Sequence, residues 1–466
     1  MVIKSSSSNY YLYHEGKMML IHPCLASIFK GTDISKASTY YKRKYNFLKK
    51  YNFFQSRYFE SSSLPLNENI VIKQLQDLKA ISIEITENCN MRCTYCGHSD
   101  LYEHYNYERS DNFINERNVY ELINELNRYW ESKQNKEIEI SFYGGEPLLG
   151  IKQIRTIVSF LHKNYPHINF RYKITTNGLL LLKNISFLVE NDFKIAVSLD
   201  GNERHNAYRI LKNGQYTHRK VVAILDEIKK TYPFYYKNNM HISSVLHNLN
   251  DISEIQTYVK DRLQLGSYIG ELNTNNIKNV YAFKKMYKSK DGTFEVKSKS
   301  GKTKKEHRPN EKKIYHFLHH ILRNSYVTIT NIIQKNSSYI LSSCQKTCLP
   351  FNRELYLTVK GDIFPCETIP QTYPLGYIRN GNVYLSPTYI TNLYNNKMKQ
   401  QYQFCKGCHI LPFCSICLFQ VLSATEKENI CPQYSDEKTF KEYIMTYVDY
   451  FELNTFDYIN FCFNLN

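Results

Sequence analysis

Three cysteines, Cys89, Cys93 and Cys96, stand as C-N-M-R-C-T-Y-C directly behind the alternating stretch Ile-Ser-Ile-Glu-Ile-Thr at 81–86. Strict alternation of apolar and polar residues reads as a β-strand. The fold must therefore present three thiols on the loop that leaves a strand. Thiolates are the protein ligands of iron–sulfur clusters, and a cubane cluster has four irons. Three cysteines hold three irons and leave the fourth open. An open iron binds and reduces a small molecule, whereas a fully ligated one only passes electrons. The same spacing also fits part of a zinc site.

The stretches around the triplet alternate strand and helix. Strands are expected at 81–86, 137–143, 169–175, 194–199 and 240–246, and helices at 115–130, 152–164, 216–230 and 252–263. This rhythm implies a parallel sheet with helices outside. The count fits an α/β fold built as a partial barrel of six units better than a full eight-unit barrel. Chemistry in such folds sits at the C-terminal ends of the strands. Residues 1–78 read as a small α+β unit: a hairpin around Glu15-Gly16, a helix through residue 29, then a longer helix over 34–51. Residues 79–283 form the barrel and 284–312 a basic, Lys-, Ser- and Gly-rich insertion or linker. Residues 313–466 form a cysteine-rich domain with a helix over 437–450 near its end.

Length, charge and cysteine usage narrow the class. A chain of 466 residues has room for two or three domains. It contains no apolar run of membrane-spanning length and no signal-peptide pattern at its start, so a cytoplasmic protein without a membrane partner is expected. Thirteen cysteines in that compartment point to metal binding rather than disulfides. The net charge of +17 fits a nucleic-acid-binding protein with structural zinc. Much of it, however, lies in the lysine runs of 284–313, where a solvated loop explains it; a basic cleft for an acidic peptide is the other reading.

Glycine is scarce, 17 residues or about half of average usage. The pair Gly144-Gly145, followed by Glu146 in Tyr-Gly-Gly-Glu-Pro, therefore marks a tight turn or a close backbone approach at a strand end. Thr-Thr-Asn-Gly at 175–178 and Val-Ser-Leu-Asp-Gly at 197–201 end the next two strands. In this order, the triplet and the three segments resemble the radical S-adenosylmethionine (SAM) superfamily. The resemblance implies that Cys89, Cys93 and Cys96 carry a [4Fe-4S] cluster whose open iron chelates SAM. One electron then yields a 5′-deoxyadenosyl radical. It further implies a SAM site lined by Tyr95, Gly144, Gly145, Glu146, Thr176, Asn177, Ser198 and Asp200, with Arg209 and Arg219 as candidates to meet the SAM carboxylate. For each arginine a surface salt bridge is the competing reading.

Eight further cysteines cluster late in the chain: Cys344, Cys348, Cys366, Cys405, Cys408, Cys414, Cys417 and Cys431. Two zinc sites or two ligated cubane clusters would each use eight ligands. Cys348-x12-Gly361-x4-Cys366, then Cys405-x2-Cys408-x5-Cys414-x2-Cys417, resembles the SPASM extension of radical SAM peptide-modifying enzymes, with one residue fewer before Cys417 than the family shows. The family pattern implies one auxiliary cluster on Cys344, Cys348, Cys366 and Cys417, and a second on Cys405, Cys408, Cys414 and Cys431. That makes three [4Fe-4S] clusters in all. Cys24 and Cys462 are left over and are expected as core fillers. Glu367 stands where sulfatase-maturing relatives carry an aspartate base, and is a candidate proton acceptor.

The resemblance implies a radical SAM–SPASM maturase of a ribosomally made precursor peptide, forming a thioether or carbon–carbon crosslink. Its partners would be a peptide with a leader and a reductant such as flavodoxin or ferredoxin, with no nucleic acid. Residues 1–78 would bind the leader by strand addition, or serve only as a cap. An anaerobic sulfatase-maturating enzyme, which makes formylglycine, shares nearly every motif.

Overall fold

The computed structural model describes residues 1–14, 17–50, 66–102, 110–130, 136–274, 277–288, 314, 317–318, 348–369, 371–405, 407–410, 414, 417–419 and 434–455. The hairpin tip at 15–16, nearly all of the basic insertion, and Cys344, Cys431 and Cys462 lie outside these residues. No helix among the described residues is long and apolar enough to cross a membrane.

The barrel is laid down in chain order. Strands β4 (Ala80–Thr86), β5 (Glu137–Gly144), β6 (Asn169–Thr176), β7 (Lys194–Ser198), β8 (Met240–Leu246) and β9 (Gly266–Glu271) pair in parallel, each with the next. They follow a three-stranded antiparallel sheet, β1 (Val2–Lys4), β2 (Tyr10–His14) and β3 (Lys17–Ile21). Ile81, Ile83 and Ile85 of β4 are fully buried in one core with Val119, Leu122, Ile123 and Leu126 of helix Glu116–Trp130. Burying each isoleucine stabilises the fold by about 1.5–3 kcal/mol. The intervening Ser82, Glu84 and Thr86 are buried as well. The alternation of β4 thus separates an apolar face from a polar face, neither of which meets bulk water.

The sheet does not stop at β4. Strand β10 (Leu355–Leu357) joins its free side in parallel, and β11 (Asp362–Phe364), β12 (Gly376–Arg379) and β13 (Asn382–Tyr384) continue antiparallel. The result is one ten-stranded sheet with β9 and β13 at its edges. The expected boundary at residue 313 therefore does not divide the sheet, because the main chain of the cysteine-rich segment hydrogen-bonds to β4. Helix Glu68–Gln76 buries Val71 and Leu75 in the barrel core.

The N-terminal sheet is covered on both faces. Leu12 and Ile21 pack with Leu25, Ala26, Ile28 and Leu48 of helices Pro23–Phe29 and Thr39–Lys50. Ile3 and Tyr13 pack with Phe440, Ile444, Tyr447 and Val448 of helix Glu437–Leu453. Ser6 donates from its backbone N–H (2.8 Å) and Oγ (2.6 Å) to the Asp449 carboxylate. Cys24 is exposed at the start of its helix, so it is not a core filler.

The end of β5 is stitched to the cysteine loop. Gly145 N–H donates to the Thr86 carbonyl (2.7 Å) and Glu146 N–H to the Asn88 carbonyl (2.9 Å). A Cβ at Gly145 would lie 2.1 Å from the Asn88 oxygen, and one at Gly144, whose φ is +127°, would lie 2.4 Å from the Thr86 oxygen. Only glycine allows this approach. Gly145→Ala is expected to lower stability by about 1–3 kcal/mol, read as a fall in anaerobic melting temperature. An unchanged melting temperature would mean that the cysteine loop shifts freely.

Candidate active site

The triplet occupies the loop after β4. Cys96 N–H donates to the Cys93 carbonyl (3.1 Å) and Ser99 N–H to the Cys96 carbonyl (2.8 Å), curling the loop so that all three thiols are half-buried. Asn177 at the end of β6 reaches across, its Nδ2 lying 2.7 Å from Asn90 Oδ1 and 3.8 Å from Cys89 Sγ. Burial pushes the Cys93 thiol up to about 12; the Arg209 charge pulls it down, and the neighbouring Cys96 and Cys89 add to the rise. Such a thiol ionises only with a strong partner, which iron provides. Among the described residues no group of three His, Cys, Asp or Glu is disposed to hold a single metal ion. Three thiols on one loop fit a cubane, on which each cysteine takes a different iron.

Glu146 is wholly buried and ties the neighbouring loops together. Its carboxylate accepts from Thr176 Oγ1 (2.8 Å), Asn177 N–H (2.7 Å) and Leu148 N–H (3.1 Å). Desolvation pushes its pKa up to about 7 despite these donors. Three of a carboxylate's roughly four acceptor positions are taken, leaving about one for a ligand amine.

Asp200 is the second buried hub. Its carboxylate accepts from Arg209 Nε (3.0 Å) and Nη2 (3.0 Å), from Val245 N–H (2.9 Å) and from the Tyr95 hydroxyl. Desolvation alone would raise its pKa; the Arg209 charge and the His247, Arg209 and Tyr95 hydrogen bonds outweigh it and hold Asp200 at about 2. Arg209 is thus committed to Asp200, with its guanidinium 5.4 Å from the Tyr95 ring centroid. Ser198 ends β7, in register with Ser243 of β8. Arg219 is not brought to the site: its side chain is 84% exposed and pairs with Glu203 at 2.8 Å.

The polar face of β4 carries residues that the motifs did not mark. Ser82 Oγ donates to Glu354 Oε2 (2.6 Å), and Val359 N–H to Glu84 Oε2 (3.0 Å). Burial pushes Glu84 up to about 7. Glu354 is raised by burial and then by the neighbouring Glu367 carboxyl. The oxygens Glu354 Oε1 and Glu367 Oε2 are both buried without a hydrogen-bond partner. Tyr143, at the end of β5, is 37% exposed, yet its hydroxyl is raised by burial and then by Glu367, Cys96 and Glu84. Tyr143 is thus the side chain that senses both the triplet and Glu367, from opposite ends of the sequence. Its place immediately before the glycine pair was the signal available in the sequence.

The late cysteines fall into two places. Burial, then Cys417, Cys366 and Cys348, raise the Tyr394 hydroxyl, so these three surround one tyrosine of helix Pro387–Cys405. Cys405 and Cys408 lie together on a turn, Cys408 N–H donating to the Cys405 carbonyl (2.9 Å), and Ser435 N–H lies 3.5 Å from Cys408 Sγ.

Residues 83–258 match the model of the radical SAM superfamily. The chain is 29% identical over 191 residues to an uncharacterized protein of Methanocaldococcus jannaschii, covering 41% of this chain and 60% of that protein. It is 25% identical over 363 residues to the cysteine-type anaerobic sulfatase-maturating enzyme of Clostridium novyi, covering 72% of this chain and 87% of the relative. Identity to the radical SAM cyclopropyl synthase TigE of Paramaledivibacter caminithermalis is 26% over 161 residues, 33% of this chain and 34% of the synthase. Native anSMEcpe with bound AdoMet shares the fold at a TM-score of 0.51 and 19% identity, covering 82% of this chain and 98% of that one. A strand-end cysteine triplet and these relatives agree: residues 83–258 are a radical SAM domain, and the chain is an enzyme.

Proposed function

We propose that this enzyme modifies a peptide by radical SAM chemistry. Cys89, Cys93 and Cys96 hold the SAM-binding cluster, and SAM lies against Tyr95, Gly144, Gly145, Glu146, Thr176, Asn177 and Ser198. The observation that carries this reading is the interlocking of three strand ends: β5 is bonded to the cysteine loop through Gly145 and Glu146, and β6 to both through Thr176 and Asn177. When bound, such a cluster supplies the electron that splits SAM into methionine and a 5′-deoxyadenosyl radical. The chain's own residues do the rest. The loops fix where the adenosyl group sits, and the buried walls keep water from the radical. Glu367, which faces the same tyrosine as the triplet, takes the proton that the substrate releases.

Cys348, Cys366 and Cys417 around Tyr394 support a first auxiliary cluster, completed by Cys344. The turn at Cys405 and Cys408 supports a second with Cys414 and Cys431. A one-electron reductant such as flavodoxin or ferredoxin would feed the system.

The substrate is a precursor peptide, and the product a thioether or carbon–carbon crosslink. A second reading, formylglycine formation, is favoured by the match over 87% of the C. novyi sulfatase-maturating enzyme. The two differ in product mass. Crosslinking removes two hydrogens and keeps sulfur, whereas formylglycine formation from cysteine removes sulfur. The outer edge of β3, which pairs with β2 alone in its sheet, supports strand addition by a leader.

Anaerobically reconstituted protein is expected to hold about 12 irons and, with a strong reductant, to release 5′-deoxyadenosine from SAM. Cys93→Ala should abolish that release and lower the iron by about a third, as colorimetric iron assay and chromatography would show. A full complement of zinc in place of iron would contradict the cluster assignments. For the leader, Leu20→Asp on the edge strand β3, where Leu20 is 64% exposed, should weaken peptide binding by about tenfold, as fluorescence anisotropy would show. Peptide-independent SAM cleavage should be unchanged. Unaltered affinity would leave the N-terminal sheet as a cap.

A further inference from the structure

The segment that carries Arg209 runs antiparallel to the cysteine loop. Arg92 N–H donates to the Ile210 carbonyl (2.8 Å) and Thr94 N–H to the Tyr208 carbonyl (3.0 Å), in register with the bridge Met91↔Leu211. That register sets Cys93 opposite Arg209 as a non-hydrogen-bonded pair. Such pairs bring their side chains closest, on one face of the ribbon. Arg209 is 8% exposed and Asp200 0%. Two guanidinium nitrogens are fixed by Asp200, and Asp200 is itself fixed by Val245 N–H and the Tyr95 hydroxyl. The loop thus carries a buried cation opposite its central thiol, bound to the Asp200 carboxylate.

Resting on the cluster proposed for the triplet, we propose that the Asp200–Arg209 pair sets that cluster's reduction potential, with Arg209 as the adjacent cation and Asp200 as its positioning counter-charge. Reduction adds negative charge to the cluster. A cation held in a low-dielectric site stabilises the reduced state and raises the potential, and an anion lowers it. Because the register puts Arg209, and not Asp200, opposite Cys93, the cation acts on the cluster more strongly than its counter-charge. The carboxylate of SAM then meets a field already present in the protein.

The test is potentiometric titration of the anaerobically loaded full-length protein, followed by electron paramagnetic resonance. The signal tracked is the one that changes when SAM is added. Arg209→Gln should shift the midpoint to more negative values, and Asp200→Asn to more positive values. Arg209→Lys, which keeps the charge, should stay near the wild type, and the double variant Arg209→Gln/Asp200→Asn should fall between the two single variants, on the negative side of the wild type. If Arg209→Gln fails to hold iron, Asp200→Asn still gives the sign. Midpoints that are equal in all variants, or that move against the charge, would overturn the inference and leave the pair a purely structural tie. A wild-type protein with no SAM-responsive signal would instead overturn the cluster assignment itself.

Discussion

Everything at the site depends on how closely β5 approaches the cysteine loop. Two main-chain hydrogen bonds, from Gly145 to Thr86 and from Glu146 to Asn88, bring the backbones so near that no Cβ fits at residue 145. Once they form, Glu146 is carried into the interior, where its carboxylate gathers Thr176 and Asn177 from the end of β6. Asn177 then closes the circuit back to Asn90 beside Cys89. A glycine pair in a chain poor in glycine thus controls the placement of three loops. Burial of Glu146 costs solvation, and three hydrogen bonds offset that cost.

The continuation of the sheet past β4 explains how a residue from the late, cysteine-rich segment reaches the polar face of β4. Strand β10 pairs with β4 in register, so Tyr356 stands beside Ser82 and Glu354 just before the strand. The chain returns through β11 and delivers Cys366 and Glu367 next to that same face. Glu367 is therefore positioned by main-chain pairing rather than by docking of a separate body.

Local signals in the sequence anticipated the barrel well, because each strand end carries its own chemistry. The triplet, the glycine pair and the segments ending at Gly178 and Gly201 are local patterns, and parallel strands bring such ends together by topology. What stayed hidden was non-local. Strand β9 has only Ile269 buried, so it lacks the apolar pattern of its neighbours. Helix Leu181–Glu190 follows directly on a run of leucines whose period is ambiguous. The tie between β1 and helix Glu437–Leu453 joins the two ends of the described chain through Ile3 and Phe440, which no spacing rule predicts. Glu84 looks like a solvent-facing strand residue until β10 covers it. Arg209 and Arg219 carry equal promise as carboxylate binders in the sequence; only the fold separates the buried partner of Asp200 from the exposed partner of Glu203.

The central claim is that the triplet and the interlocked loops hold SAM on an open iron. The most direct measurement is electron–nuclear double resonance on the reduced, reconstituted protein with SAM labelled at its amino nitrogen and carboxylate oxygen. Hyperfine coupling of both labels to the cluster, lost in Cys93→Ala, is the expected result. A reduced cluster that shows coupling to neither label would contradict the claim, since its fourth iron would then be closed to the ligand.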